Sequence, residues 1–318
     1  MSRPFAPRLR VSTYLSAWMP TGDTTRQSVA GYFAGGYDNI GLLQSTDKIA
    51  FPSDTKSVTT TLPTTRYSGA GFANSGVAGY VSGGKGTDTS IEKFAFPADT
   101  ATISSSVLSA GSNNLRAMSN SGIAGYFGGG YNAGDLTTVN KMAFPAETMS
   151  VTTSLGTARQ NHAGFADIGV AGYFGGGSTN SGGTRLSSVE KFSFPSDTQS
   201  TTTALDSVRV DLGGFANSGV AGYFCAGYDS VGNVSTVVTY AFPSDTRTAV
   251  SATLTSANTV MGCFADSGVA GYVGGGYNGG NIDVVDKFAF PSNTKNTITA
   301  TLTTARRQMA AFADCGVF

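Results

Sequence analysis

The phrase Val-Ala-Gly-Tyr, with Ile replacing Val once, starts at Val29, Val77, Ile123, Val170, Val220 and Val269, and a truncated copy starts at Val317. The intervals are 48, 46, 47, 50, 49 and 48 residues, so six units tile the chain from 29 to 316. A sustained period of this length restricts the chain to folds that repeat one supersecondary unit. Each unit carries four apolar pieces, read in the last copy as MAAFAD (309–314), VAGYVGGG (269–276), VVDKFAF (284–290) and NTITATL (296–302). They are strand-length, rich in Val, Ile, Thr, Phe and Tyr, and bounded by Gly, Pro, Asn, Asp or Ser, whereas a helix needs longer uninterrupted runs. We label them a, b, c and d. The a-to-b joint reads Asn-Ser-Gly or Asp-Ser-Gly in most copies (74–76, 266–268), with Gly supplying the positive φ of a tight hairpin. The c-to-d joint reads Phe-Pro-Ser-Asp-Thr or nearly so, from 51–55 to 290–294. Pro sets φ at the first central turn position, and the Asp, Glu or Asn two residues on is expected to cap the turn from its side chain.

A four-stranded meander repeated at this period predicts an all-β, six-bladed β-propeller. VAGYFGGGY, then VEKFAFPSDT, a Thr-rich strand and LTTAR together resemble the kelch repeat, with its double Gly ending the second strand, an aromatic in the third and an Arg before the next blade. The double Gly stands at 35–36, 83–84, 129–130, 275–276 and within 175–177, but is Cys225-Ala226 in the fifth unit. The Arg is read as Arg66, Arg116, Arg159, Arg209 and Arg306, with Asn258 in the fifth unit, and no Trp occupies a fourth strand. Residues 29–62 supply b, c and d of the first blade without an a, while 309–314 supply an a without a blade. The C-terminal strand is therefore expected to close the ring, leaving no long unpaired edge. This divides the chain into a propeller over 29–318 and an N-terminal arm over 1–28.

An up-and-down meander sorts its connections onto two faces. The a-to-b and c-to-d turns, nearly identical among units, share one face. The b-to-c loops share the other and vary freely: YDNIGLLQSTD (37–47), KGTDTSI (85–91), YNAGDLTT (131–138), STNSGGTRLSS (178–188), YDSVGNVST (228–236), YNGGNID (277–283). Variable loops on a rigid scaffold suit recognition. Tyr37, Tyr131, Tyr228 and Tyr277 follow the glycines at the mouth of that face, where they serve either as packing between blades or as aromatic platforms for sugar stacking. The arm holds Arg3, Phe5, Arg8, Arg10, Tyr14 and Trp18, a mixture of Arg and aromatic side chains suited to docking on a partner. It enters strand b at Val29 and so joins on the uniform-turn face.

Composition removes most other functions. Twenty basic and 20 acidic side chains give a formal charge of zero, so nucleic acid is not an expected partner. No run approaches the roughly 18 apolar residues of a membrane helix, so membrane insertion is not expected. Three Cys in no paired spacing, with no leader-like opening, point to free thiols rather than a disulfide scaffold. His162 is the only His, and its equivalents are read as Gly69, Ser119, Leu212, Met261 and Met309, so a packing role is expected. One imidazole offers no copper-oxidase site, a zinc site would have to rely on carboxylates or scattered Cys, and one turn carboxylate per blade offers no calcium cage. No metal, cofactor or catalytic residue is assigned, and an enzyme is not expected. The expectation is a structural and recognition protein, present in multiple copies, docked by its arm on other structural proteins and offering its loop face to a host surface glycan. The uniform Gly/Ser/Thr-rich texture is also similar to propeller proteins of tailed-bacteriophage virions, which implies a place on a tail or capsid. An intracellular kelch-type adaptor and a glycan-processing enzyme are the alternatives.

Overall fold

The computed structural model describes residues 29–84 and 88–315. These contain no helix and form six four-stranded antiparallel sheets in a ring, each pairing in the order a-b-c-d. Blade 1 takes its a strand from the C-terminus: Ala310–Ala313 pairs with Ala30–Ala34, followed by Thr46–Ala50 and Thr55–Thr59. Blade 2 comprises Gly69–Asn74, Ala78–Gly83, Ser90–Ala95 and Thr100–Val107; blade 3, Arg116–Asn120, Ala124–Gly128, Val139–Ala143 and Thr148–Val151. Blade 4 comprises Ala163–Asp167, Ala171–Gly175, Val189–Ser193 and Thr198–Thr202; blade 5, Gly213–Asn217, Ala221–Cys225, Val237–Ala241 and Thr246–Val250. Blade 6 comprises Gly262–Asp266, Ala270–Gly274, Val285–Ala289 and Thr294–Thr297.

Burial falls from axis to rim. Strands b are wholly buried, strands c alternate, and the Thr- and Ser-rich strands d are largely exposed, so β-branched hydroxyl residues sit where a pleated strand faces water. Blades join through a large apolar side chain of strand a, Phe in five and Met in one. Phe264, Phe312, Phe72, Met118, Phe165 and Phe215 each lie on the Gly of the next blade's Ala-Gly-Tyr, where an added Cβ would come within 2.0–2.3 Å of the side chain. Close approach of a side chain therefore keeps Gly at that strand position in every unit, although Gly weakens a strand.

The Phe-Pro-Ser-Asp turn is a second junction. Its Phe packs on the Tyr of the preceding blade, as in Phe96 on Tyr32 at 5.4 Å and Phe51 on Tyr272 at 5.1 Å. Its acidic residue also faces that blade and does not cap its own turn. Asp99 accepts from Tyr32 Oη at 2.8 Å and Lys48 Nζ at 2.7 Å; Asp54 accepts from Tyr272 and Lys287, both at 2.7 Å. Glu147 takes Tyr80 and Lys93, Asp197 takes Tyr126 and Lys141, and Asp245 takes Tyr173 and Lys191. Only the junction from blade 5 to blade 6 differs: Thr239 replaces the Lys, and the acceptor of Tyr223 is the neutral Asn293. Charge is lost on both sides together, as expected if the two positions meet. The turn itself is braced by hydroxyls, as in Ser53 with Thr55 and Ser196 with Thr198.

A third junction uses the Arg of the d-to-a crossing. Arg66, Arg159 and Arg306 are buried and reach carbonyls at the end of the next blade's strand b and a buried acid in its strand c. Arg159 meets Glu190 at 2.5 Å, Arg306 meets Asp47 at 2.8 Å, and Arg66 meets Glu92 at 3.1 Å. These buried Arg side chains thus tie each of these blades to the next. Arg209 reaches the carbonyls of Ala226 and Thr236 but pairs with Asp206 of its own crossing, because Val238 stands where the acid would be. Arg116 does not belong to the series. Ser112 holds that place in the crossing after blade 2, its hydroxyl donating to Gly129 O at 3.3 Å, while Arg116 begins strand a of blade 3 and faces the axis.

At the axis the six crossings link in a closed circuit. The amides of Ser68, Asn114, Asn161, Asp211, Val260 and Gln308 each donate to the carbonyl of its counterpart in the preceding blade at 2.8–2.9 Å. All six residues have positive φ, between 52° and 57°.

Candidate recognition face

The loop face is built from the double Gly. Gly35 and Gly36 have φ of 68° and 107°, and side chains there would strike the carbonyls of Arg66 and Arg307, so left-handed Gly lets strand b end between two crossings. The next residue is then stitched to the preceding blade. Tyr37 N donates to Arg307 O at 2.9 Å and Arg307 N returns to Tyr37 O at 3.1 Å. The same reciprocal bridge joins Tyr131 to Asn113, Ser178 to Gln160, Tyr228 to Val210 and Tyr277 to Thr259. The b-to-c loops and the d-to-a crossings therefore share one face.

All four candidate Tyr residues stand at this mouth with partly exposed side chains, but they do not present one open ring of platforms. Arg307 lies over both Tyr277, at 4.5 Å, and Tyr37, at 5.2 Å, joining blades 6 and 1 in one aromatic-guanidinium cluster. Arg185, from the short hairpin of Ser178–Thr179 and Thr184–Arg185 in the blade 4 loop, lies 4.6 Å over Tyr228. Sequence reasoning also missed the loop tips. Asp38 Oδ1 accepts from the amides of Ile40 and Gly41, and Asp229 Oδ1 from those of Val231 and Gly232, forming matched turns. Those amide bonds hold both carboxyls below the usual range, and the turns leave Ile40 and Val231 at 94% and 89% exposure. The signal was present as the paired strings YDNIG and YDSVG.

The opposite face is uniform and apolar in a different way. The first residue of each repeat, Val29, Val77, Ile123, Val170, Val220 and Val269, immediately precedes strand b and is 45–57% exposed. Six β-branched side chains in register thus circle this face. The arm residues Arg3, Phe5, Arg8, Arg10, Tyr14 and Trp18 lie outside the described residues. Their junction does not: Val29 N donates to both carboxylate oxygens of Asp314 at 2.9 and 3.0 Å, and Val29 O accepts from Phe51 N at the c-to-d turn. The chain therefore enters blade 1 on the uniform-turn face.

On this uniform-turn face the last residues of strands a tie blades 2 to 6 in succession: Asn74, Asn120, Asp167 and Asn217 accept from Gly122, Gly169, Gly219 and Gly268. Asp266 sits at the closing seam, where burial and the neighbouring Asp314 push its carboxyl up to about 6, opposed by Lys287. Its folded value exceeds the unfolded value of about 3.9, so its contribution to stability is complete below that value and is lost as pH rises through about 6. Asp266→Asn, the side chain found at three equivalent positions, is expected to flatten the dependence of stability on pH between about 4 and 6.5 and to stabilise the fold at pH 7. Denaturant midpoints across that range check this; a midpoint lowered at pH 7 would refute it.

His162 packs edge-on against Phe174 at 5.1 Å, wholly buried, and burial with the guanidiniums of Arg159 and Arg116 holds it neutral. Its true counterpart in blade 3 is Leu115, which precedes Arg116 as His162 precedes Ala163, and not Ser119. Among the described residues no three His, Cys, Asp or Glu side chains converge as metal ligands. No family model and no curated protein matches the sequence. A six-bladed propeller with one uniform and one variable face suits an interaction or recognition role.

Proposed function

We propose that this protein is a non-enzymatic structural part that docks through its uniform-turn face and N-terminal arm and offers its loop face to a ligand. The ring of six exposed Val and Ile side chains carries this reading. A ring of β-branched side chains left exposed at the same position of every unit offers repeated apolar contacts to another protein. Val29, to which the Arg- and aromatic-rich arm is joined in sequence, lies on the same face. The outward face then holds the Tyr37–Arg307–Tyr277 cluster, Tyr131, Tyr228 under Arg185, and the aliphatic tips. Aromatic faces beside guanidinium donors suit a glycan, whose ring stacks while its hydroxyls take hydrogen bonds. The repetitive Gly/Ser/Thr texture favours a tail or capsid position on a bacteriophage particle, present in several copies.

Removing residues 1–20, or replacing Val77, Val170 and Val269 by Ser, is expected to leave a folded disc that no longer co-purifies with its protein partners. Changing Tyr37, Tyr131, Tyr228 and Tyr277 to Ala is expected to spare that association and to lower binding on a glycan array at least tenfold. Capture with mass spectrometry and array binding read the two arms. Loss of partners in the Tyr variant, or an unfolded disc after arm removal, would reverse the polarity.

A further inference from the structure

Cys225, ending strand b of blade 5, and Cys263, in strand a of blade 6, bring their sulfurs to 3.9 Å across the blade 5–6 junction. Gly213 makes the meeting possible, because a Cβ there would lie 2.4 Å from one sulfur and 2.9 Å from the other. This junction is exceptional in two other respects. It has Thr239 and Asn293 where the other five have a Lys and a carboxylate, and Asn258 stands in the place of the crossing Arg. Among the described residues it alone lacks both cationic ties to the next blade. Cys263 also lines the axial cavity of about 60 Å³, which Arg116 enters from the opposite side of the ring. The positions level with Arg116 in the other blades are Ala70, Ala163, Gly213, Gly262 and Ala310, so a single guanidinium stands in a ring of small residues.

We propose that Cys225 and Cys263 form an oxidisable pair, converted by a small peroxide entering along the axis into a disulfide that joins blade 5 to blade 6. The Cys263 thiolate attacks the peroxide; an S–O bond forms as the O–O bond breaks, and the leaving hydroxide takes a proton to become water. The Cys225 sulfur then attacks the sulfenic sulfur of Cys263, forming the S–S bond as the S–O bond breaks, and a second water leaves. Two thiols and one hydrogen peroxide thus give one disulfide and two waters. The sulfurs must close by about 2 Å to reach S–S bonding distance, and Gly213, having no Cβ, leaves nothing between them. Burial and the neighbouring Cys225 sulfur push the Cys263 thiol up, while Arg116 favours its thiolate, so the reaction is slow at neutral pH and faster in alkali.

The test treats the folded full chain with hydrogen peroxide, blocks remaining thiols, and maps peptides without reduction. A Cys225–Cys263 crosslinked peptide lacking two hydrogens is expected, with a melting temperature several degrees higher that reverts on reduction. Cys225→Ser should show no upward shift and should leave Cys263 trapped by a sulfenic-acid reagent. The inference fails if Cys263 stays a thiol under treatment that oxidises Cys315, or if Cys225→Ser melts higher after peroxide as the parent does. It is independent of what either face binds.

Discussion

A chain ending at residue 307 is expected to lose cooperative unfolding and to aggregate. The deleted segment supplies the whole of strand a in blade 1, Ala310–Ala313, and with it Phe312, which lies on Gly79 and stacks on Tyr32 at 5.1 Å. It also removes Gln308, which closes the axial amide circuit by donating to Val260 and accepting from Ser68, and Asp314, which holds Val29. Truncating one buried Phe costs about 3–5 kcal/mol, and a whole domain commonly holds only about 5–15 kcal/mol. Losing the strand exceeds that margin, bares the edge of Ala30–Ala34 and uncovers the strand of blade 6, Gly262–Asp266, on which it packs. Thermal unfolding by circular dichroism and size-exclusion chromatography report the outcome. A truncated chain that melts as the parent does would place the closure elsewhere.

Arg306→Ala should be the most damaging single substitution at the closing seam. Arg306 is buried and donates to Phe33 O, Gly35 O, Ser45 O, Ser45 Oγ and Asp47 Oδ2, spanning blades 6 and 1. Removing it strands Asp47 with no exposed surface, which costs about 3–5 kcal/mol by leaving an uncompensated charge. Adding Asp47→Asn should recover a substantial part of that loss, since the remaining partner, Thr303, satisfies a neutral amide as well. Chemical denaturation of both variants measures the difference. Equal midpoints for the single and double variants would show that the cost lies in lost packing and not in the stranded charge.

The fold was legible because period, strand length and turn chemistry agree in every unit, and the unpaired a at the C-terminus dictated the closure. What crosses between blades was not. The turn acids look like local caps, since their spacing to Pro is the only relation visible along the chain; their partners, such as Lys48 for Asp99, lie 51 residues away. Arg116 was misplaced because one Arg per unit is an attractive pattern. The structural criterion is distance to the Gly of Ala-Gly-Tyr: Arg66, Arg159, Arg209 and Asn258 precede it by 13 residues, as Ser112 does, whereas Arg116 precedes it by 9. The loop-face Tyr residues were placed correctly at the mouth, but Arg185 and Arg307 reach them from neighbouring blades, which no reading of one unit reveals.

The Tyr–Lys–carboxylate contacts make the order of the blades part of the message. Each unit carries the acceptor for the unit before it and the donors for the unit after it, so neighbours are matched like successive links. Unit five has Thr239 in the Lys position and offers only its Tyr223 to the neutral Asn293 of unit six, while its own Asp245 answers Lys191 of unit four. Exchanging units five and six would set Lys191 of unit four against the neutral Asn293 and leave the Asp54 carboxylate of unit one facing Thr239. The ring is thereby not free to separate unit five from unit six, and a change of charge in one blade obliges a compensating change in the next.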